Sequence, residues 1–297
     1  MLKKRYFYDR LGSALTLFCA SLVIVLTVSI IYFISSKGIA TFISDGVSLR
    51  EFLFSTQWWP DRPRAEGGPQ LGALSMIIGS VLVSLFAVGI SAPLGIVVAV
   101  FLVEIAPGWG QRVLQPAVEL LAGIPSVVYG YIGLSLLVPF IRDNIGGGGF
   151  SLLAGFLVLS VMILPTIISV SADSIKALHI EWKHASLALG ATRWQTIRMV
   201  LVPAARSGLI TAVVLGLARA FGEALAVQMV IGNTRQIPTS ILDPMMTLTS
   251  AITMDMGATI AGTPWNNALW SMGLILLLMS LFFIMLIRVV VRRGVAQ

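Results

Sequence analysis

Apolar residues in this chain come in long unbroken tracts. They follow neither the alternation of a half-buried strand nor the one-face stripe of a surface helix. No charge lies between Arg10 and Lys37, which is enough for one crossing of a bilayer, since a membrane helix needs about 20 apolar residues. A second uncharged tract covers 67–103. At about 1.5 Å per residue it exceeds a hydrocarbon core of ~30 Å, so it predicts a long helix from about residue 72, bent near Pro93. Further spans are predicted at 113–140, 150–172, 207–231 and 266–287. The first tract is too long for a signal-peptide core and lacks a small-residue cleavage site, so it is expected to stay attached. The pattern therefore predicts an all-α integral membrane protein with six transmembrane helices and both termini on one side.

Composition agrees with that reading. Of 297 residues, 57% are hydrophobic and 11% charged, against roughly a quarter charged in soluble domains. The net charge of +7 would suit nucleic acid if the basic residues lined one polar face. They sit instead at the ends of apolar tracts, which points to membrane lipid and away from nucleic acid. Lys3, Lys4, Arg5 and Arg10 precede the first span, Lys176, Lys183, Arg193, Arg198 and Arg206 follow the fourth, and Arg288, Arg292 and Arg293 end the chain, with Arg112 on the same side. The opposite connections carry Lys37, Arg50, Arg62, Arg64, Arg142 and Arg235, offset by Asp45, Glu51, Asp61, Glu66, Asp143, Asp243 and Asp255. By the positive-inside rule both termini are cytoplasmic. The whole of 1–297 reads as a single transmembrane domain: a first helix 11–36, an external loop 37–71 and a core 72–291 with a cytoplasmic loop 173–206. In the first external loop 49–54 is amphipathic and Trp58-Trp59-Pro60 suits an interfacial resting place. The second, 232–265, is expected to fold partly back over the pore.

The loop 173–206 predicts two short helices. The first, 178–189, ends at Gly190, a residue suited to the left-handed position after a helix. Thr192 starts the second, Gln195 completes a capping box, and Pro203 closes it. A helical hairpin between membrane spans would show the same punctuation if it were only a connector. His184-Ala185-Ser186, then Gly190, then Val200, Val202 and Pro203 resemble the EAA loop of ATP-binding-cassette import permeases, which is Glu-Ala-Ala, three residues, Gly, nine residues, then Ile-x-Leu-Pro. His184 stands where that family usually has Glu. The resemblance implies a type I importer permease fold, whose elbow docks on a separate ATP-binding subunit.

Residues 121–130, Leu-Ala-Gly-Ile-Pro-Ser-Val-Val-Tyr-Gly, 162–166, Met-Ile-Leu-Pro-Thr, and Arg219-Ala220-Phe221-Gly222-Glu223 running to Met229-Val230-Ile231-Gly232-Asn233 resemble the C-type permease of phosphate-specific transport systems. Ala224-Leu225 stands where that family usually carries Thr-Met. The resemblance implies a bacterial inner-membrane subunit that translocates inorganic phosphate. Its implied partners are an A-type permease, two ATP-binding subunits and an external phosphate-binding protein. A permease for another oxyanion, molybdate or sulfate, and a membrane phosphate sensor with little transport of its own are the alternatives.

Arg219 and Glu223, four residues apart in an apolar span, would share one helix face. An intramembrane charge costs at least about 2.5 kcal/mol, so both should face the bundle interior or a water-filled path. Arg presents a planar fork to an oxyanion and Glu can accept the proton of hydrogen phosphate; a self-neutralising structural pair is the competing reading. Pro125 and Pro165 are candidate hinges, although close helix packing explains such residues as well. Glu119, near the cytoplasmic start of the third span, is a candidate helix-end or interhelical hydrogen-bond partner. The run 146–149 is an outer turn and not a phosphate loop, because no Gly-x-x-x-x-Gly-Lys-Ser/Thr motif occurs anywhere in the chain. The chain is therefore not expected to be an enzyme: ATP, the only cofactor expected, is used by the partner. His179 and His184 lack further ligands at metal spacing, and Cys19 stands alone in the first span.

Overall fold

The computed structural model describes residues 2–63 and 67–293. Arg64 and Glu66 lie outside these residues, as do the side chains of Lys3, Lys4, Arg5, Arg292 and Arg293. The chain opens with α1 (Leu2–Ile43), the short α2 (Leu49–Phe54) and a two-stranded antiparallel ribbon, β1 (Trp58–Trp59) on β2 (Gln70–Leu71). The long α3 (Leu74–Val100) continues through a widened turn to Ile105. Next come α4 (Pro107–Trp109) and α5 (Gln115–Gly123), then α6 (Ser126–Ile132) and α7 (Val138–Asn144). A second long helix, α8 (Leu152–Lys176), leads to α9 (Ile180–Ala188), α10 (Arg193–Thr196), α11 (Val202–Ala204) and α12 (Arg206–Gly222). The chain ends with α13 (Leu225–Gln228), α14 (Leu248–Asp255) and α15 (Pro264–Arg293).

Among the described residues four helices are long and apolar enough to cross a membrane: Arg10–Ile43, Leu74–Ile105, Leu152–Lys176 and Pro264–Val289. The predicted spans 113–140 and 207–231 are not straight crossings. Gly110–Gly123 meets Ser126–Asn144 at 96°, and Arg193–Ala204 meets Arg206–Gly222 at 68°; counting each bent pair as one span gives up to six. The first break has a local cause. Proline disfavours the helical conformation of the residue before it, and Ile124, preceding Pro125, is extended at φ −68°, ψ 128°. Tyr129 then donates to the Leu121 carbonyl at 2.8 Å across the corner.

Prolines also widen turns without breaking them. Four π turns, Phe101–Ile105, Gly110–Leu114, Gly133–Leu137 and Ile197–Leu201, each end two residues before a proline: Pro107, Pro116, Pro139 and Pro203. A proline ring lacks an N–H and collides with the carbonyl four residues back, and a wider turn moves that carbonyl aside. In each case the residue before the proline donates five residues back, as Val202 N–H does to the Ile197 carbonyl. Pro203 thus does not close its helix as the sequence suggested; the helix runs one residue further, to Ala204. Pro93 and Pro165 lie inside α3 and α8, which stay helical through them.

The centre of the bundle is α8, packed on α3 and α12, with Leu159, Ile163 and Ile167 fully buried. Ser91 Oγ reaches the Ser160 carbonyl at 2.9 Å and ties α3 to α8 at close approach. The outer loops do more than cover this bundle. Trp58, read from sequence as interfacial, is buried together with Phe52, Met76, Met246, Leu248 and Leu269, because the ribbon turns its ring inward; Trp59 alone of that pair is exposed. The second loop, expected only to fold over the pore, supplies Met245, Met246, Leu248 and Ala251 to the cores. Its backbone presses on α3 so closely that a Cβ at Gly79 would lie 2.1 Å from the Met246 carbonyl oxygen. In the same loop Asp243 accepts from the hydroxyl and N–H of Thr239 and from the N–H of Ser240. These bonds, the Thr239 hydroxyl first, hold its carboxyl below the usual range.

Candidate functional site

Arg219 occupies the last turn of α12, and the helix stops three residues later at Gly222. Two contacts explain the stop. The Thr249 hydroxyl of α14 donates to the Glu223 carbonyl at 2.9 Å, and the Glu223 carboxylate turns back to accept from Ala226 N–H at 3.0 Å. Side-chain capping of the next turn replaces the helical bond that Glu223 would have made. Glu223 is therefore extended, at φ −77°, ψ 127°. The expected placement of Arg219 and Glu223 on one continuous helix face does not hold, because that geometry needs an unbroken helix.

The two charges have separate surroundings. Arg219 Nη1 donates to Thr166 Oγ1 on α8 at 3.0 Å. Glu223 instead borders a small cavity of about 10 Å³, lined by the hydroxyls of Ser80, Ser84, Thr247 and Thr249 and by apolar Val83, Phe221 and Val227, room for about one water molecule. Among the described residues neither forms a salt bridge. Both are half-buried. A half-buried guanidinium held, among the described residues, by one hydroxyl keeps most of its donors available for an anion.

The candidate hinges differ. Pro125 stands at the 96° corner, whereas Pro165 is buried within the continuous α8, one residue before Thr166. Glu119 accepts from Gln115 Nε2 at 3.0 Å within α5, and the link to α8 is made by Gln115, whose Oε1 accepts from Lys176 Nζ at 3.0 Å. Among the described residues no group of three or more His, Cys, Asp or Glu could hold a metal ion.

The elbow after α8 has the two predicted helices, the first being the shorter Ile180–Ala188. Gly190 takes φ +85°, its N–H donates to the Leu187 carbonyl, and Ala191 N–H donates to the Ser186 carbonyl, the paired bonds of a Schellman turn. Thr192 and Gln195 form both bonds of the capping box, at 3.3 and 2.8 Å. Ser186 Oγ lies 3.0 Å from Thr196 Oγ1 and joins the two halves. His184, Ala185 and Pro203 are exposed, while Val200 and Val202 are half-buried. Trp182, Leu189 and Trp194 are 46, 89 and 62% exposed, an apolar surface typical of a site that meets another protein. Three residues that sequence reasoning gave no role are structural partners here: Thr166, Thr249 and Glu104. Only Thr166, next to Pro165, had a local signal.

The binding-protein-dependent transport system inner membrane component family matches residues 91–295. A probable ABC transporter permease protein, YqgH, of Bacillus subtilis is 56% identical over 93% of this chain and 89% of its own length. The phosphate transport system permease protein PstC of Haemophilus influenzae is 34% identical over 82% of this chain and 81% of its own. A chain of the solved inward-facing MetNI methionine ABC transporter is 22% identical and superposes with a TM-score of 0.53 over 76% of this chain and 93% of its own. That likeness concerns the fold alone.

Proposed function

We propose a function for a chain that belongs to the binding-protein-dependent transport system inner membrane component family: it is the permease subunit of an ATP-driven importer, and its cargo is inorganic phosphate. Relatives named as phosphate transport permeases align along most of its length. The observation that carries the cargo reading is Arg219, a half-buried cation whose described side-chain partner is the Thr166 hydroxyl. An intramembrane cation without a carboxylate partner favours an anion beside it.

In this reading the substrate path passes Arg219, which attracts the oxyanion, and Glu223, which tunes the local charge and accepts a hydrogen bond from the P–OH of hydrogen phosphate. A second, A-type permease supplies the other wall of the path. Two ATP-binding subunits dock on the elbows and close on ATP, the elbows carry that motion into the bundle, and an external phosphate-binding protein delivers the ligand from the opposite side. Purified complex in vesicles is expected to take up labelled phosphate only with ATP and binding protein. Competition by excess sulfate or molybdate equal to that by phosphate would overturn the cargo assignment.

The orientation belongs to the same proposal: six crossings in the inner membrane, both termini cytoplasmic. α3 has the outer ribbon at its start and the elbow at its end, about 48 Å apart over the 32 residues Leu74–Ile105. Arg112, Lys176, Lys183, Arg193, Arg198 and Arg206 gather at the elbow end, as the positive-inside rule asks of the cytoplasmic face. In a Cys19→Ser background, Ser48→Cys and Thr239→Cys are expected to react with an impermeant thiol reagent in sealed cells, and Thr192→Cys is not. All three wild-type side chains are exposed. External labelling at 192 would reverse the orientation.

A further inference from the structure

α9 carries the His184-Ala185-Ser186 stretch, yet none of its own residues is buried. The other half of the elbow anchors itself by packing: Ile197 and Leu201 are buried against Ala99, Val100, Ala172 and Ile175 of α3 and α8. Between α9 and the end of α3 remains a gap of about 160 Å³, bordered by Glu104, Ile105, Lys183, Leu187 and Arg193 among others. Apolar burial, the usual force that fixes a helix on a bundle, therefore does not set the position of α9. Across the gap Lys183 Nζ donates to Glu104 Oε2 at 2.6 Å, with the Glu104 side chain 11% and the Lys183 side chain 33% exposed. Among the described residues it is the ion pair that joins the elbow to a membrane helix.

We infer that the Lys183–Glu104 pair is a strut that positions α9 and carries motion of the elbow directly into α3. The 193–204 half moves with α3 and α8 because it is packed on them; α9, beyond its chain tether to α8 through Leu178, is tied among the described residues by polar contacts, the Ser186–Thr196 hydroxyl bond to its sister helix and this ion pair. Most exposed ion pairs contribute little. This one is short, and its carboxylate is largely withdrawn from water, so loss of one partner leaves the other with an uncompensated charge. Lys183 and Glu104 are positioning residues, and the inference rests on the docking role proposed for the elbow.

The test is a mutant cycle on the complete complex in vesicles, with Lys183→Met, Glu104→Gln and the double variant, and Lys183→Arg as the conservative change. Two quantities are read: the ATPase subunit retained on the purified complex, and the phosphate taken up per ATP hydrolysed. Each single variant is expected to keep its ATPase subunit and to lose about tenfold in uptake per ATP. The double variant should be no worse than the poorer single one, and Lys183→Arg should stay within about twofold of wild type. Losses that multiply in the double variant, or a single variant with wild-type uptake per ATP, would overturn the strut. Should a single variant shed its ATPase subunit, the cycle is read in the retained subunit instead: a double variant no worse than the poorer single one supports the strut, and losses that multiply overturn it. Retention does not depend on which anion is carried, so a wrong cargo assignment leaves this readout intact. A Gly190→Val complex that keeps its ATPase subunit and its uptake would instead remove the docking role itself.

Discussion

Arg219→Gln is expected to lower ATP-driven phosphate uptake by about 100-fold, the loss typical when a donor aimed at a developing or passing anion is removed, while the complex still inserts and assembles. Glutamine keeps a donor near Thr166 Oγ1, so the α12–α8 contact can persist, but the charge and the fork are gone. The structure sharpens the alternative. If Arg219 and Glu223 were a self-neutralising pair, removing both charges together, as Arg219→Met with Glu223→Leu, should restore function, because no orphan charge would remain. Glu223 turns away to Ala226 N–H and to a small cavity that it shares with Ser80, Ser84, Thr247 and Thr249, and Arg219 turns to Thr166. The double neutral variant is therefore expected to be as inactive as Arg219→Gln, and its leucine at 223 also removes the cap on α13. Measured at matched expression, near-normal uptake by that double variant would eliminate the role given to Arg219.

What the sequence disclosed divides by the range of the force concerned. The apolar tracts reported the long helices because hydrophobic length is a property of the tract itself, and α8 lies close to the predicted 150–172. The elbow was legible to the residue at Gly190, Thr192 and Gln195, since a Schellman turn and a capping box close within a few residues. The corner at Ile124-Pro125 had its signal in the proline, but proline gives the same signal at Pro93 and Pro165, where the helix continues. Which prolines break a span depends on neighbours that the local sequence does not name. The Arg219–Glu223 geometry failed for a related reason. A four-residue spacing places two side chains on one face only if the helix is intact, and the hydroxyl that interrupts it, on Thr249, comes from a loop 26 residues further on. Glu104 and Lys183 are 79 residues apart; each alone reads as a charge at the end of a span.

The elbow's turn yields the second large effect. Gly190 has φ +85°, yet a Cβ built on it meets nothing within 4 Å, so any penalty there comes from backbone conformation and not from crowding. A β-branched residue is a strong outlier at positive φ, and left-handed backbone costs an L-residue about 1–2 kcal/mol even before branching. Gly190→Val therefore favours another turn, one that loses the bonds from Gly190 N–H to the Leu187 carbonyl and from Ala191 N–H to the Ser186 carbonyl. That would redirect α9 while leaving the membrane helices in place. Asparagine tolerates the left-handed region far better. The expected result is graded: Gly190→Val inserts normally but loses about tenfold or more in ATP-driven uptake and binds the ATPase subunit weakly, while Gly190→Asn keeps most of both. Equal loss in the two variants would mean that the glycine is needed for close contact with the docking partner and not for its φ. Normal uptake and normal pull-down in Gly190→Val would show that the loop is only a connector between spans.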